Sequence, residues 1–207
     1  DRPEEAISLL DRGLQLDPDN SAAYFDLGNA RIMQDDLRMA LQSFEKATSL
    51  KPDFWEALNN QALVLYQLGN REEAIRRWRQ VLKIEPNPEP MLALAAALYQ
   101  QDGNRDEALR LAKTSLAKDP NYVLAPHQEE QLWGTKIRAA AAQLMDDEAM
   151  ADTVERAKAN AKAAVQQPTL SNRQQHSQDN ASVEIRSRIL CRCRCCACLR
   201  LLVASAS

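Results

Sequence analysis

The chain is short of the residues that build sheets, disulfide scaffolds and catalytic centres. Among 207 residues there are five glycines and three phenylalanines, and aromatics make up 5%. The rest is rich in Ala, Leu, Gln, Glu and Arg, a mix that favours helices over strands. All five cysteines fall between positions 191 and 198. The body therefore has no disulfide to form, which fits a reducing, cytoplasmic setting. There are two histidines, His127 and His176, and neither has an acid or nucleophile at a spacing that would make a catalytic pair. No phosphate-binding glycine loop, zinc-helix motif or nucleophile elbow is present, so no enzyme, cofactor or metal is expected. No apolar run approaches the roughly 18–20 residues of a membrane span, and a membrane partner is not expected. The opening "DRPEEAISLL" lacks the basic start and apolar stretch of a signal peptide. With no initiator Met, the chain is expected to be cut from something longer.

Basic excess is missing too. The formal net charge is −3. It combines +4 over residues 171–207, where six arginines face Asp179 and Glu184, with −7 over residues 1–170. An acidic body argues against nucleic acid as a partner, because neutralising phosphates needs a basic footprint. The arginines of "REEAIRRWRQ" (71–80) alternate with Glu72 and Glu73 and read as a solvated outer face.

What the chain does have is a repeat. Prolines stand at 18, 52, 86 and 120, a step of 34 each time, and twelve residues before each stands an alanine: Ala6, Ala40, Ala74, Ala108. The turn "GNREEA" (69–74) returns as "GNRDEA" (103–108). Two antiparallel helices that cross closely need small residues at the contact, since separations of about 8–10 Å leave no room for two leucines. Gly28, Ala62 and Ala96 supply one side; Ala40, Ala74 and Ala108 supply the other. Gly69–Asn70, Gly103–Asn104 and Asp35–Asp36 suit left-handed turns. Each proline stops a second helix. No such unit buries its own apolar face, so stacking must create the core.

A 34-residue helix–turn–helix period with these residues resembles the tetratricopeptide repeat (TPR) family. The signature positions are filled by Tyr24, Leu27, Gly28, Ala40, Phe44, Ala47 and Pro52 in repeat 21–54, and by Leu58, Ala62, Leu65, Ala74, Trp78, Val81 and Pro86 in repeat 55–88. Repeat 89–122 offers Leu92, Ala95, Ala96, Tyr99, Ala108 and Pro120, and residues 1–20 hold only the second helix of an earlier repeat. The resemblance implies an all-α, right-handed superhelical solenoid. Departures are Gln61 for a leucine, Arg31 for an aromatic, and Ala112 and Ser115 in the third repeat, where looser packing is expected. The orphan helix, with Ile7, Leu10 and Leu14 on its apolar face, is expected to fray or to drive self-association.

Beyond 122 the register fades. Residues 125–145 keep helical apolar spacing, and 146–165 read as a second helix opened by aspartates. Together, 123–165 are expected to cap the solenoid. "EEQLWGTK" and "ERAKANA" look similar to the closing segments of cyanobacterial TPR proteins. Residues 166–207 read as a disordered tail by composition. Its "CRCRCCAC" leaves two further uses open, a thiolate metal cluster or acyl attachment to a membrane. In either case the repeats would be a docking module.

In TPR arrays the first helices line a concave groove. The resemblance places Phe25, Asn29 and Met33 there from repeat one, with Ala22, Asp26 and Ile32. Asn59, Asn60, Leu63, Tyr66 and Gln67 come from repeat two, with Glu56. Repeat three adds Pro90, Ala93, Leu94, Ala97, Gln100 and Gln101. Amides both donate and accept, which suits the backbone of a peptide. The implied function is a non-catalytic scaffold holding a peptide or helix of another protein. The family's carboxylate clamp for Hsp70/Hsp90 C-termini needs basic residues where this chain has Phe25, Pro90 and Leu94, so that partner is excluded.

Overall fold

Ten α-helices follow one another in a computed structural model that describes residues 2–101 and 103–166. They are α1 (Pro3–Leu16), α2 (Ser21–Met33), α3 (Leu37–Leu50), α4 (Trp55–Leu68), α5 (Arg71–Ile84), α6 (Pro88–Tyr99), α7 (Arg105–Lys118), α8 (Ala125–Glu130), α9 (Thr135–Met145) and α10 (Ala151–Gln166). Short 3-10 turns occupy Pro120–Val123 and Glu148–Met150, and no strand occurs among the described residues. The cysteine-rich segment lies outside them. Contacts gather residues 1–162 into one unit and Ala163 onward into another.

The local chemistry sets the boundaries. Asn20 Oδ1 accepts the Ala23 N–H at 2.9 Å, and Asp36 Oδ1 accepts that of Met39 at 3.3 Å. These side chains satisfy donors that a helix start leaves unpaired. The turns between paired helices run through the left-handed region at Asp35 (φ 59°), Gly69 (φ 96°) and Gly103 (φ 83°). A left-handed residue of this kind was legible in all three turn motifs.

Pairs α2–α3, α4–α5 and α6–α7 pack as hairpins, and each hairpin packs on the next. Ala40, Ala62, Ala74, Ala96 and Ala108 are all fully buried. A Cβ on Gly28 would run into the Phe44 ring, so this helix crossing uses glycine for its closeness. With Ala74 wholly enclosed, Ala74→Leu is expected to destabilise the fold by about 1–3 kcal/mol through overpacking. A denaturant titration checks this; an unshifted midpoint would place the contact elsewhere.

The departures from the repeat pattern form polar bridges, although the buried Gln61 Oε1 is left without a partner. Arg31 donates to Ser43 Oγ (2.7 Å) and to the Met39 carbonyl (3.1 Å). Gln61, 1% exposed, donates to the Phe44 carbonyl at 3.0 Å and to Thr48 Oγ1 at 2.8 Å, tying repeat two to repeat one. Ser115 donates to the Pro88 carbonyl at 2.7 Å. Ser115 and Ala112 are both fully buried, so the third hairpin is closed by a hydrogen bond where the larger side chain is missing.

The C-terminal part differs from the expected cap. Residues 125–145 are two helices, not one. α8 ends in a Schellman motif, with Trp133 N–H bonded to the Gln128 carbonyl (3.0 Å) and Leu132 N–H to that of Glu129 (2.9 Å). Leucine holds the left-handed position usually given to glycine, at φ 62°, a conformation that costs about 1–2 kcal/mol for a side-chain-bearing residue. The chain then turns back, and α9 packs on α6 and α4, the first helices of repeats three and two.

Candidate functional site

The inner face divides into an open part and a covered part. On α2, Ala22 and Asp26 are exposed and Met33 is 50% exposed. Phe25 is half-buried, its ring 5.8 Å from that of Phe44 and 5.2 Å from that of Phe54. It floors the surface more than it lines it. Asn29 and Asn60 are brought together: Asn60 Nδ2 donates to Asn29 Oδ1 at 2.9 Å. Each is only part-buried. An amide has two donor hydrogens and two acceptor sites, so this bond leaves Asn29 Nδ2 free to donate and Asn60 Oδ1 with capacity to accept.

Asn59 does something else. It is 1% exposed, and its Oδ1 accepts the indole N–H of the fully buried Trp78 at 3.1 Å. The placement leaves it no face to offer a ligand, so the expected groove contact does not fit it. The signal lay in the other partner: a tryptophan at a core position brings an N–H that needs an acceptor once buried. Leu63 (2% exposed) and Tyr66 (5%) are also core residues. Tyr66 packs on Trp78 with ring centres 5.9 Å apart, and Arg71 lies over its ring at 5.8 Å. Burial raises the Tyr66 hydroxyl's pKa, opposed by the Arg71 charge.

Gln67 and Gln100 are engaged by α9. Gln67 Oε1 accepts the Lys136 N–H at 3.0 Å, and its Nε2 donates to Thr135 Oγ1 at 3.1 Å. Gln100 Nε2 donates to Gln143 Oε1 at 2.7 Å. Between these ends, Leu63, Ala93, Leu94 and Ala97 share one apolar cluster with Ile137, Ala140, Ala141 and Leu144. Past the helix, Asp147 accepts from the Tyr99 hydroxyl (2.8 Å) and makes two bonds with Arg105 (2.7 and 3.0 Å). The backbone N–H of Ala149, then Tyr99 and Arg105, hold the Asp147 carboxyl below the usual range.

Before α9, Trp133 Nε1 donates to Glu89 Oε1 at 3.0 Å. Burial raises the Glu89 carboxyl's pKa, with the bonds from Trp133, Asn59 and Tyr122 opposing the rise. The Tyr122 hydroxyl is also pushed up, first by burial and then by the Glu89 charge. A carboxyl whose folded pKa lies above its unfolded value binds a proton more readily in the folded state. Its contribution to stability is therefore full below the unfolded pKa and falls as pH rises through the folded one. Glu89→Gln keeps one acceptor oxygen, for Trp133, exchanges the other for an amide donor, and removes a part-buried charge. The variant is expected to be more stable than the parent at neutral pH, with the difference shrinking in acid. Urea midpoints at pH 4 and 7 check this, and a variant weaker at neutral pH would contradict it.

Among the described residues no cluster of three His, Cys, Asp or Glu side chains is placed to hold a metal, and no helix is long and apolar enough to cross a membrane. Models of the tetratricopeptide repeat match residues 1–53, 55–88 and 91–121. Together they span more than half the chain, which belongs to that family and is an interaction scaffold of repeated helices. It is similar to a STIP1 homolog of Dictyostelium discoideum, 31% identical over 86 residues, which are 42% of this chain and 15% of that protein. Among solved structures it resembles MamA (TM-score 0.52, 29% identity, 56% of this chain and 68% of that one). It also shares its fold with YrrB, a TPR protein with an unusual peptide-binding site (TM-score 0.52, 20% identity, 76% and 84%).

Proposed function

We propose that the chain holds a segment of a partner protein on the inner face of α2 and the adjoining start of α4. The observation that carries this is the Asn29–Asn60 pair, whose bond leaves a donor on one amide and an acceptor on the other. A partner's main chain needs that combination. Met33, half in solvent, offers an apolar contact beside them, with Phe25 beneath. The charged positions on this face, Asp26 and Glu56, are both acidic, so the occupant is a neutral or mildly basic segment and not a free carboxylate terminus.

A photo-crosslinking residue placed at Met33, and separately at exposed Glu45 on α3, tests the assignment. Binding proteins captured from the source cells are expected to crosslink from position 33 and not from 45. Crosslinks from 45 alone would move the site to the outer face.

A further inference from the structure

We propose that α9 is a displaceable occupant of the inner groove over α4 and α6, and that this part of the groove takes in its place an amphipathic helix of a partner. The proposal extends the reading of the inner face as the binding surface.

The groove is built to be covered by a helix. On α6 every residue from Pro90 to Leu98 is buried, although pairing with α7 and stacking on α5 account for only part of its circumference. Its inner side is closed by Ile137, Ala140, Ala141 and Leu144, at spacings that put them on one stripe of α9. Uncovered, α6 would present a continuous apolar strip, the kind of surface that recruits a partner.

The groove also recognises a helix end. The N-cap of α9 is Gly134, which has no side chain to cap with. The cap comes from Gln67, across the groove, through the Lys136 N–H. A helix starting at this point with a glycine would find the same acceptor, whereas a Cβ at Gly134 would push the Gln67 side chain out of its capping position. The matching ligand is a helix with a glycine before its first turn, followed by small and aliphatic residues four and three apart.

Two features make the occupant displaceable. Alanines bury little apolar area, so the stripe holds less firmly than a leucine-rich one. The hairpins α4–α5 and α6–α7 stack through other faces and do not need α9 to pair. The advantage of α9 is its tether, which supplies an effective concentration in the millimolar range.

The test uses a fluorescent synthetic peptide with the sequence of residues 131–147, titrated into the full chain and into its Ile137→Asp variant. In the variant the chain's own α9 is disabled while the groove is intact. The peptide is expected to bind the variant at least ten-fold more tightly than the parent, and a peptide carrying the same Asp is expected to bind neither. In the parent, amides of α9 are expected to exchange at least ten-fold faster than those of α4 and α6. Equal peptide affinities, a folded variant that does not bind, or a variant that loses the helicity of α1–α7 would each overturn the proposal. Exchange of α9 in step with α4 and α6 would do the same. None of these outcomes touches the Met33 crosslinking result, so failure here leaves the site on α2 to stand or fall by itself.

Discussion

Replacing Trp78 with alanine is expected to remove about 3–5 kcal/mol of stability, the usual cost of emptying a large aromatic site. The side chain is fully buried, its ring packs on Tyr66, and its indole N–H meets Asn59 Oδ1 at 3.1 Å. Alanine leaves a cavity between α4 and α5 and takes the indole donor from the buried Asn59 Oδ1. Domains of this size have about 5–15 kcal/mol in all, so the loss is a large fraction of the fold. Trp78→Phe separates the two contributions: it keeps most of the packing and loses the hydrogen bond, at about 1–3 kcal/mol. Urea denaturation of both variants measures the split. A cost below about 1 kcal/mol for Trp78→Ala would mean that this contact does not hold repeat two together.

The repeat was legible because it is periodic and local. Small residues at the helix crossings, prolines at the stops and left-handed turns each leave a mark in the sequence every 34 residues, and the helices stand where those marks put them. Arg31, Gln61 and Ser115 showed as exceptions to a pattern. Their partners, Ser43, Thr48 and the Pro88 carbonyl, did not show, because hydrogen bonding across helices has no sequence period.

The inner face was half legible. Its open positions on α2 follow from the repeat register alone. The role of Asn59 depends on a tryptophan nineteen residues later on another helix, and the spacing of α4 by itself cannot distinguish an inward amide from an outward one. The occupancy by α9 was hidden for a further reason. The run Ala139–Ala142 is apolar on every side and gives no direction to the helix. The break at Leu132 also lacks the glycine that announces such a turn. Helical periodicity ran through it as though the chain were straight, and the segment read as an end cap when it turns back along the groove.

In the proposed mode, binding resides in the amides between α2 and α4. Asn29→Ala/Asn60→Ala removes the bonded pair together, so neither is left seeking the other. Only the long 3.4 Å bond from Asn59 is lost besides, and the melting curve should move little. The partner's main-chain groups lose their partners instead, at about 1–3 kcal/mol per site, which is roughly five- to hundred-fold in affinity for each. Because the face has few charges, both of one sign, the affinity itself should change only weakly with salt. The decisive measurement is the dissociation constant of a crosslinked, identified partner for the parent and the double variant, at low and at physiological salt. A drop of at least ten-fold is expected for the variant at both salts, with its stability preserved. A folded double variant that binds as tightly as the parent would contradict it.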